Sequence, residues 1–284
     1  MVLYDRWGTG LSDRRRADFS AAAVVQVLVN LVDQLRLRRF ALFGPSHGGP
    51  IAAGFAGRFP RRVSHLILYG ARSSGLTGGP TWTALRELML VNWPVAVRSI
   101  AAVATKGGDP GDVDAFAELL QAAATPEMTV ALQDAAGQHD AYSDLGRLGL
   151  PTLVLHRRGD SLVSAEAASR IAGAIPGARL ELLAGEAHVH TVGDAGTLAG
   201  RILAFTAGSG SHSSAQLSSV RAARGLGASH AKLRVSTDAQ LRHCFLPFQD
   251  DDIIPSGDAA SALQRPCVRP RPACHCRTGC RGSA

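Results

Sequence analysis

The first 206 residues of this 284-residue chain contain no cysteine, so no disulfide braces that stretch; Cys244, Cys267, Cys274, Cys276 and Cys280 all lie beyond it. No apolar run approaches the roughly 18 residues of a membrane span, so a membrane is not an expected partner. The N-terminus lacks the charged, apolar and small-residue regions of a secretory signal, which leads to the expectation of a cytoplasmic protein. From residue 207 onward glutamate, tyrosine and tryptophan are missing altogether. What is present is a composition 46% hydrophobic, enough for a sizeable core, and one α/β domain of about 200 residues is the expected architecture.

Three short stretches carry the chemistry. Gly44-Pro45-Ser46-His47-Gly48-Gly49, then Arg158-Gly159-Asp160, then Gly185-Glu186-Ala187-His188 place a serine, an acid and a histidine in that order. A serine hydroxyl is a poor nucleophile at neutral pH. It needs an imidazole to take its proton and a carboxylate to fix the imidazole tautomer. The context of Ser46 gives the pattern weight: Arg39–Phe43 is an apolar run of strand length, and Ile51–Ala56 reads as a small-residue helix that Phe59-Pro60 stops. A strand-to-helix turn of this kind presents a nucleophile, and side chains at Gly44 or Gly48 would collide with the flanking strand and helix. The turn also aims the backbone N–H of His47 at the place where an oxyanion would form. Ser46, Asp160 and His188 are therefore the candidate catalytic residues, with His190 the rival base and His47 and His156 structural in their ring positions.

Pro151–His156 reads as a late strand with Asp160 just past its end, and Leu180–Leu183 as a last strand, leaving room between Asp160 and His188 for one helix and one strand. These features, with the opening Asp5-Arg6-Trp7-Gly8-Thr9-Gly10-Leu11-Ser12-Asp13, resemble the α/β-hydrolases, in which D-x-R-G-x-G-x-S-D is a familiar form; Trp7 stands where that form has arginine. The run from His188 to Phe205 is similar to hydrolase domains that bacteria fuse to nucleotide cyclase or regulatory modules. The resemblance implies a mostly parallel sheet flanked by helices, a strand at Val2–Tyr4, a small-molecule ester or amide substrate and no cofactor. It also implies about three further strands ahead of Met1, and with them a second oxyanion donor, so the expectation is a domain lacking its first strands. A non-catalytic ligand-sensing or remnant domain is the competing expectation.

The segment from about 71 to 150 is expected to form a helical cap. Thr83–Leu90 and Asp114–Leu120 place apolar residues at helical spacing, and Trp82, Met89, Trp93 and Phe116 are candidates for an acyl pocket, with ordinary packing the better reading. Beyond residue 206, Gly208–Ser214 reads as a linker, and 207–284 as a disordered, Arg- and Cys-rich tail. The cysteine spacing Cys274-His275-Cys276 with Cys280 and Cys267 is irregular for zinc, so no metal site is expected. The net charge of +7 sits largely in this tail without a recognised nucleic-acid module, so nucleic acid is not an expected partner.

Overall fold

The computed structural model describes residues 2–15, 18–72, 80–136, 142, 146 and 149–208. The linker and tail readings, and all five cysteines, lie outside the described residues. Four strands, β1 (Phe40–Pro45), β2 (Val63–Tyr69), β3 (Thr152–Arg157) and β4 (Arg179–Leu183), pair in parallel in the order β1-β2-β3-β4. Parallel neighbours need crossover connections, and α2 (Gly48–Arg58) and α7 (Ala165–Ala174) supply two of them.

Both faces of the sheet are covered, which is why β2 and β3 read as near-continuous apolar runs. Alternation sorts the side chains between two cores. Leu66, Leu68 and Val154 face α1 (Ala21–Gln34), α2 and α7, packing with Val25, Leu28, Phe55 and Ile171. Ile67, Tyr69, Leu153 and Leu155 face the other way, against Leu198, Ile202 and Phe205 of α8 (Ala195–Ala207). Ser20 caps α1 by accepting from the Ala23 N–H, and Asp194 caps α8 by accepting from the Thr197 N–H.

The strand expected at Val2–Tyr4 is absent: these residues carry no sheet pairing, and Val2 and Leu3 are exposed while Tyr4 is partly covered, at 37% exposure. Strand geometry requires a neighbour to accept its ladder, and the sheet order offers β1 only β2 as a partner among the described residues. Between β2 and β3, in the segment expected to form a cap, the described residues form α3 (Pro80–Val91), α4 (Trp93–Ala104), α5 (Asp112–Ala123) and α6 (Pro126–Ala136). Asn92 separates the first two by capping α4 through its side chain, with Pro94 in the first turn. Met89, Trp82 and Trp93 pack with Ala96 and Val130 inside this helical layer, while Phe116 packs between it and Ala187, Val189 and Val192. Packing is their observed role. No described helix is long and apolar enough to cross a membrane.

Candidate active site

Parallel strands bring their C-terminal ends to one edge of the sheet. Ser46 follows β1, Asp160 follows β3 and His188 follows β4, so all three meet there. Ser46 has φ +46°, a left-handed conformation that L residues adopt at a cost of about 1 to 2 kcal/mol. Two backbone hydrogen bonds hold it: the Ser46 N–H donates to the Tyr69 carbonyl (2.8 Å), and the Gly49 N–H to the Ser46 carbonyl (3.0 Å). The glycines around it are dictated by space. A Cβ on Gly44 would stand 2.7 Å from the Gly48 carbonyl oxygen and 2.8 Å from the Ala52 Cβ. One on Gly48 would stand 3.2 Å from Pro45, and one on Gly49 would stand 2.5 Å from the Ala71 Cβ.

The His188 ring lies between the serine and the acid. Its Nε2 is 2.8 Å from the Ser46 Oγ and its Nδ1 is 2.7 Å from the Asp160 Oδ2. Because an ionised carboxylate only accepts, the consistent assignment has Nδ1–H donating to Asp160 and the Ser46 hydroxyl donating to Nε2. The other Asp160 oxygen accepts from the Leu162 N–H (2.9 Å) and the Val163 N–H (3.0 Å). Burial pushes the Asp160 pKa up, but the His188 hydrogen bond and charge, with those two amides, outweigh it and hold the carboxyl below its ordinary value. His188 and Asp160 are buried.

The backbone carrying His188 is fixed from three sides. The His188 and Val189 N–H groups both donate to the Ala104 carbonyl at the end of α4, at 2.8 and 3.0 Å. The Ala187 carbonyl accepts from the Tyr69 hydroxyl (3.2 Å) and from Arg157 Nη1 (3.1 Å), and the Val189 carbonyl accepts from the same Nη1 (3.3 Å). Burial pushes the Tyr69 phenol up to about 12, so it remains a donor throughout the neutral range. Arg157, 2% exposed at the end of β3, is a residue that sequence reasoning passed over. Its sequence signal was a cation ending an otherwise apolar strand, where a buried charge needs a specific task. Gly159 ties the acid loop to the base loop by donating to the Gly185 carbonyl (3.0 Å).

His190, the rival base, packs edge-on against Phe43 (ring centroids 5.6 Å) and Tyr69 (6.2 Å) on the sheet. Burial, with Arg157 and His188 nearby, pushes it down to about 4. His156 is buried, with Nε2 2.9 Å from the Val163 carbonyl. The His47 ring lies beside Arg6, with Nδ1 3.5 Å from an Arg6 guanidinium nitrogen. Burial and the charges of Arg6, Arg72 and His188 hold it well below the usual histidine range, with the Gln133 side chain acting in the opposite sense, so it is neutral at pH 7. Its backbone lies at the N-terminal cap of α2, where amides have no intrahelical acceptor. Among the described residues, no three His, Cys, Asp or Glu side chains converge as a metal site would require.

The family model for the alpha/beta hydrolase fold matches residues 1–190, and the chain belongs to that family. It is 29% identical over 210 residues to an uncharacterized protein of Mycobacterium tuberculosis, the match covering 66% of this chain and 62% of the other. It is 28% identical to the 2-hydroxy-6-oxo-2,4-heptadienoate hydrolase of Pseudomonas putida over 60% of this chain and 65% of that protein. The chain thus spans under two thirds of the length of these relatives. The esterase of Exiguobacterium antarcticum superposes with a TM-score of 0.65 at 22% identity, covering 71% of this chain and 79% of the esterase, a likeness of fold.

Proposed function

We propose that residues 1–206 form a serine hydrolase domain, with the helical layer as its lid, that cleaves a small ester or amide by acyl transfer. The observation that carries this reading is the continuous relay from Ser46 Oγ through His188 to Asp160, at 2.8 and 2.7 Å. In this mechanism Ser46 Oγ attacks the substrate carbonyl carbon while its proton passes to His188 Nε2. Asp160 keeps the required tautomer and stabilises the imidazolium. The carbonyl oxygen gains negative charge near the start of α2, where the His47 backbone N–H donates to it. His188 then returns the proton to the leaving alcohol or amine as its bond to the carbonyl carbon breaks. A water molecule repeats the two transfers on the acyl-serine and frees the acid.

Fluorophosphonate labelling of the purified chain, read by intact mass, tests the reading. Stoichiometric labelling that Ser46→Ala and His188→Ala both abolish is the expected result. A folded wild-type protein that takes no label would overturn it and favour the non-catalytic ligand-sensing reading.

A further inference from the structure

Beside the relay stand two guanidinium groups that the mechanism leaves idle. Arg6 approaches the His47 ring, and Arg72 lies two residues past Gly70, where a Cβ would stand 3.1 Å from the His188 ring. The charges of both act on His47, and that of Arg72 also reaches Asp160. Neither has a carboxylate within 4 Å among the described residues. The nearby acids are committed elsewhere: Asp160 to His188 and two amides, and Asp5 to the Leu11 N–H (3.0 Å). Tyr4, the other group whose charge would reach Arg6, has its pKa raised by burial and is neutral at pH 7. Arg72 donates through Nη1 to Gln133 Oε1 at a long 3.4 Å, and its buried Nε–H has no acceptor among the described residues.

Arginine cannot shed its proton, so a desolvated guanidinium is relieved only by an acceptor or an anion. Both charges bear on the one neutral imidazole of His47, and a carboxylate seated beside that ring would accept from both. We propose that the substrate of this site is an ester or amide bearing a free carboxylate, which Arg6 and Arg72 hold. The proposal rests on Ser46 being the nucleophile and adds the chemical class of what it attacks.

Matched ester pairs test it on the full chain: 4-nitrophenyl hydrogen adipate against its methyl ester for a charge on the acyl side, and 4-acetoxybenzoate against its methyl ester for a charge on the leaving group. The expected result is that the wild type prefers the anionic member of at least one pair by about tenfold or more in kcat/KM, the least that a charge-assisted hydrogen bond supplies. That preference shrinks with added salt, and it falls toward unity in Arg72→Gln and in Arg6→Gln. No preference in either pair, or a preference that survives both substitutions, overturns the proposal. Adipate binding to Ser46→Ala, measured by calorimetry, separates the two claims. Adipate bound by a chain whose wild type takes no fluorophosphonate leaves the anion site standing and removes the hydrolase. Labelling without adipate binding or anionic preference does the reverse.

Discussion

Adjacent strands lie about 4.8 Å apart, so β4, which delivers His188, is three spacings or roughly 14 Å from β1, which delivers Ser46. An imidazole cannot bridge that gap from its own strand end. The loop after β4 must carry it across the ends of β3 and β2, and Gly70 supplies the clearance at β2. Gly70 has φ +54°, and a Cβ there would stand 3.1 Å from His188 Cε1 and 3.3 Å from Nδ1. Gly70→Ala is therefore expected to have two separable effects. The left-handed backbone costs about 1 to 2 kcal/mol for alanine, which lowers Tm by roughly 2 to 8 °C in a domain of this size. The ring must also yield by a few tenths of an ångström, although it is held at 2.7 Å by Asp160 and 2.8 Å by Ser46. If a displacement of 1 Å costs about a hundredfold, this smaller one slows fluorophosphonate labelling by about tenfold. The assay is the second-order labelling rate beside a thermal melt. Gly173→Ala is the control: it lies inside α7 with nothing within 4 Å of a new Cβ, so it should stabilise by about 0.5 to 1 kcal/mol and leave labelling unaltered. Wild-type labelling in a Gly70→Ala protein that melts normally would refute the argument from clearance.

Three further outcomes follow from the geometry. Arg157→Met removes two charged hydrogen bonds to the carbonyls flanking His188, but also a buried cation whose Nη2 has no acceptor among the described residues. Stability should move by less than about 2 kcal/mol while labelling slows about tenfold, and an unchanged labelling rate would remove Arg157 as a positioning residue. Asp160→Asn should slow labelling by about 10³ to 10⁴-fold by presenting the wrong tautomer. Because the Asp160 carboxyl is held below its ordinary value, the stability it contributes is full above the unfolded pKa near 3.9 and disappears as pH falls through the lower folded value. The unfolding free energies of the wild type and Asp160→Asn should therefore converge only in acid, and a gap that stays constant as pH falls below the unfolded pKa would contradict this. His190 is held near 4 against 6.5 for a free imidazole, so the unfolded chain takes the proton first and stability drains as pH falls from 6.5 to 4, by up to ~3 kcal/mol. His190→Phe should flatten that portion of the chemical-denaturation profile, and profiles that run parallel would show the imidazole to be charged in the fold.

The elements that were legible in the sequence are those whose signal is local. The elbow, the halt of α2 at Phe59-Pro60 and the β3 and β4 runs depend on residues within a few positions of one another, and their bounds agree with expectation to within two residues at the β-strands. Ser46, Asp160 and His188, which the fold brings within hydrogen-bonding distance of one another, could be picked out as candidates because each follows a strand end. The strand read at Val2–Tyr4 failed because strand formation depends on a neighbour that local pattern does not report. The contacts of Arg157, Arg6 and Arg72 were equally hidden. The acceptors of Arg157 lie 30 and 32 positions away, and Arg6 meets His47 across 41. Such partners are fixed by the crossover of loops over the sheet edge, not by spacing along the chain.

The end of β2 was not singled out in the sequence, yet four consecutive residues there govern the site. The Tyr69 carbonyl holds the Ser46 amide while its hydroxyl holds the Ala187 carbonyl, so one residue sets the distance between the Ser46 turn and the loop that carries His188. Gly70 admits the ring, Ala71 packs where Gly49 has no side chain, and Arg72 continues to Gln133 on the cap. None of these four would be found by searching for a nucleophile, base or acid. Their residue types follow from position: the strand sits between those carrying Ser46 and Asp160, so its end must be small where the imidazole crosses and must donate where the loop needs an anchor. The same logic separates Ile67 from Gly70. Ile67 faces the apolar core under α8, where a hydrophobic replacement of similar volume is tolerated at under about 1.5 kcal/mol. Gly70 faces the ring, where even one methyl group has no space that the relay can give up.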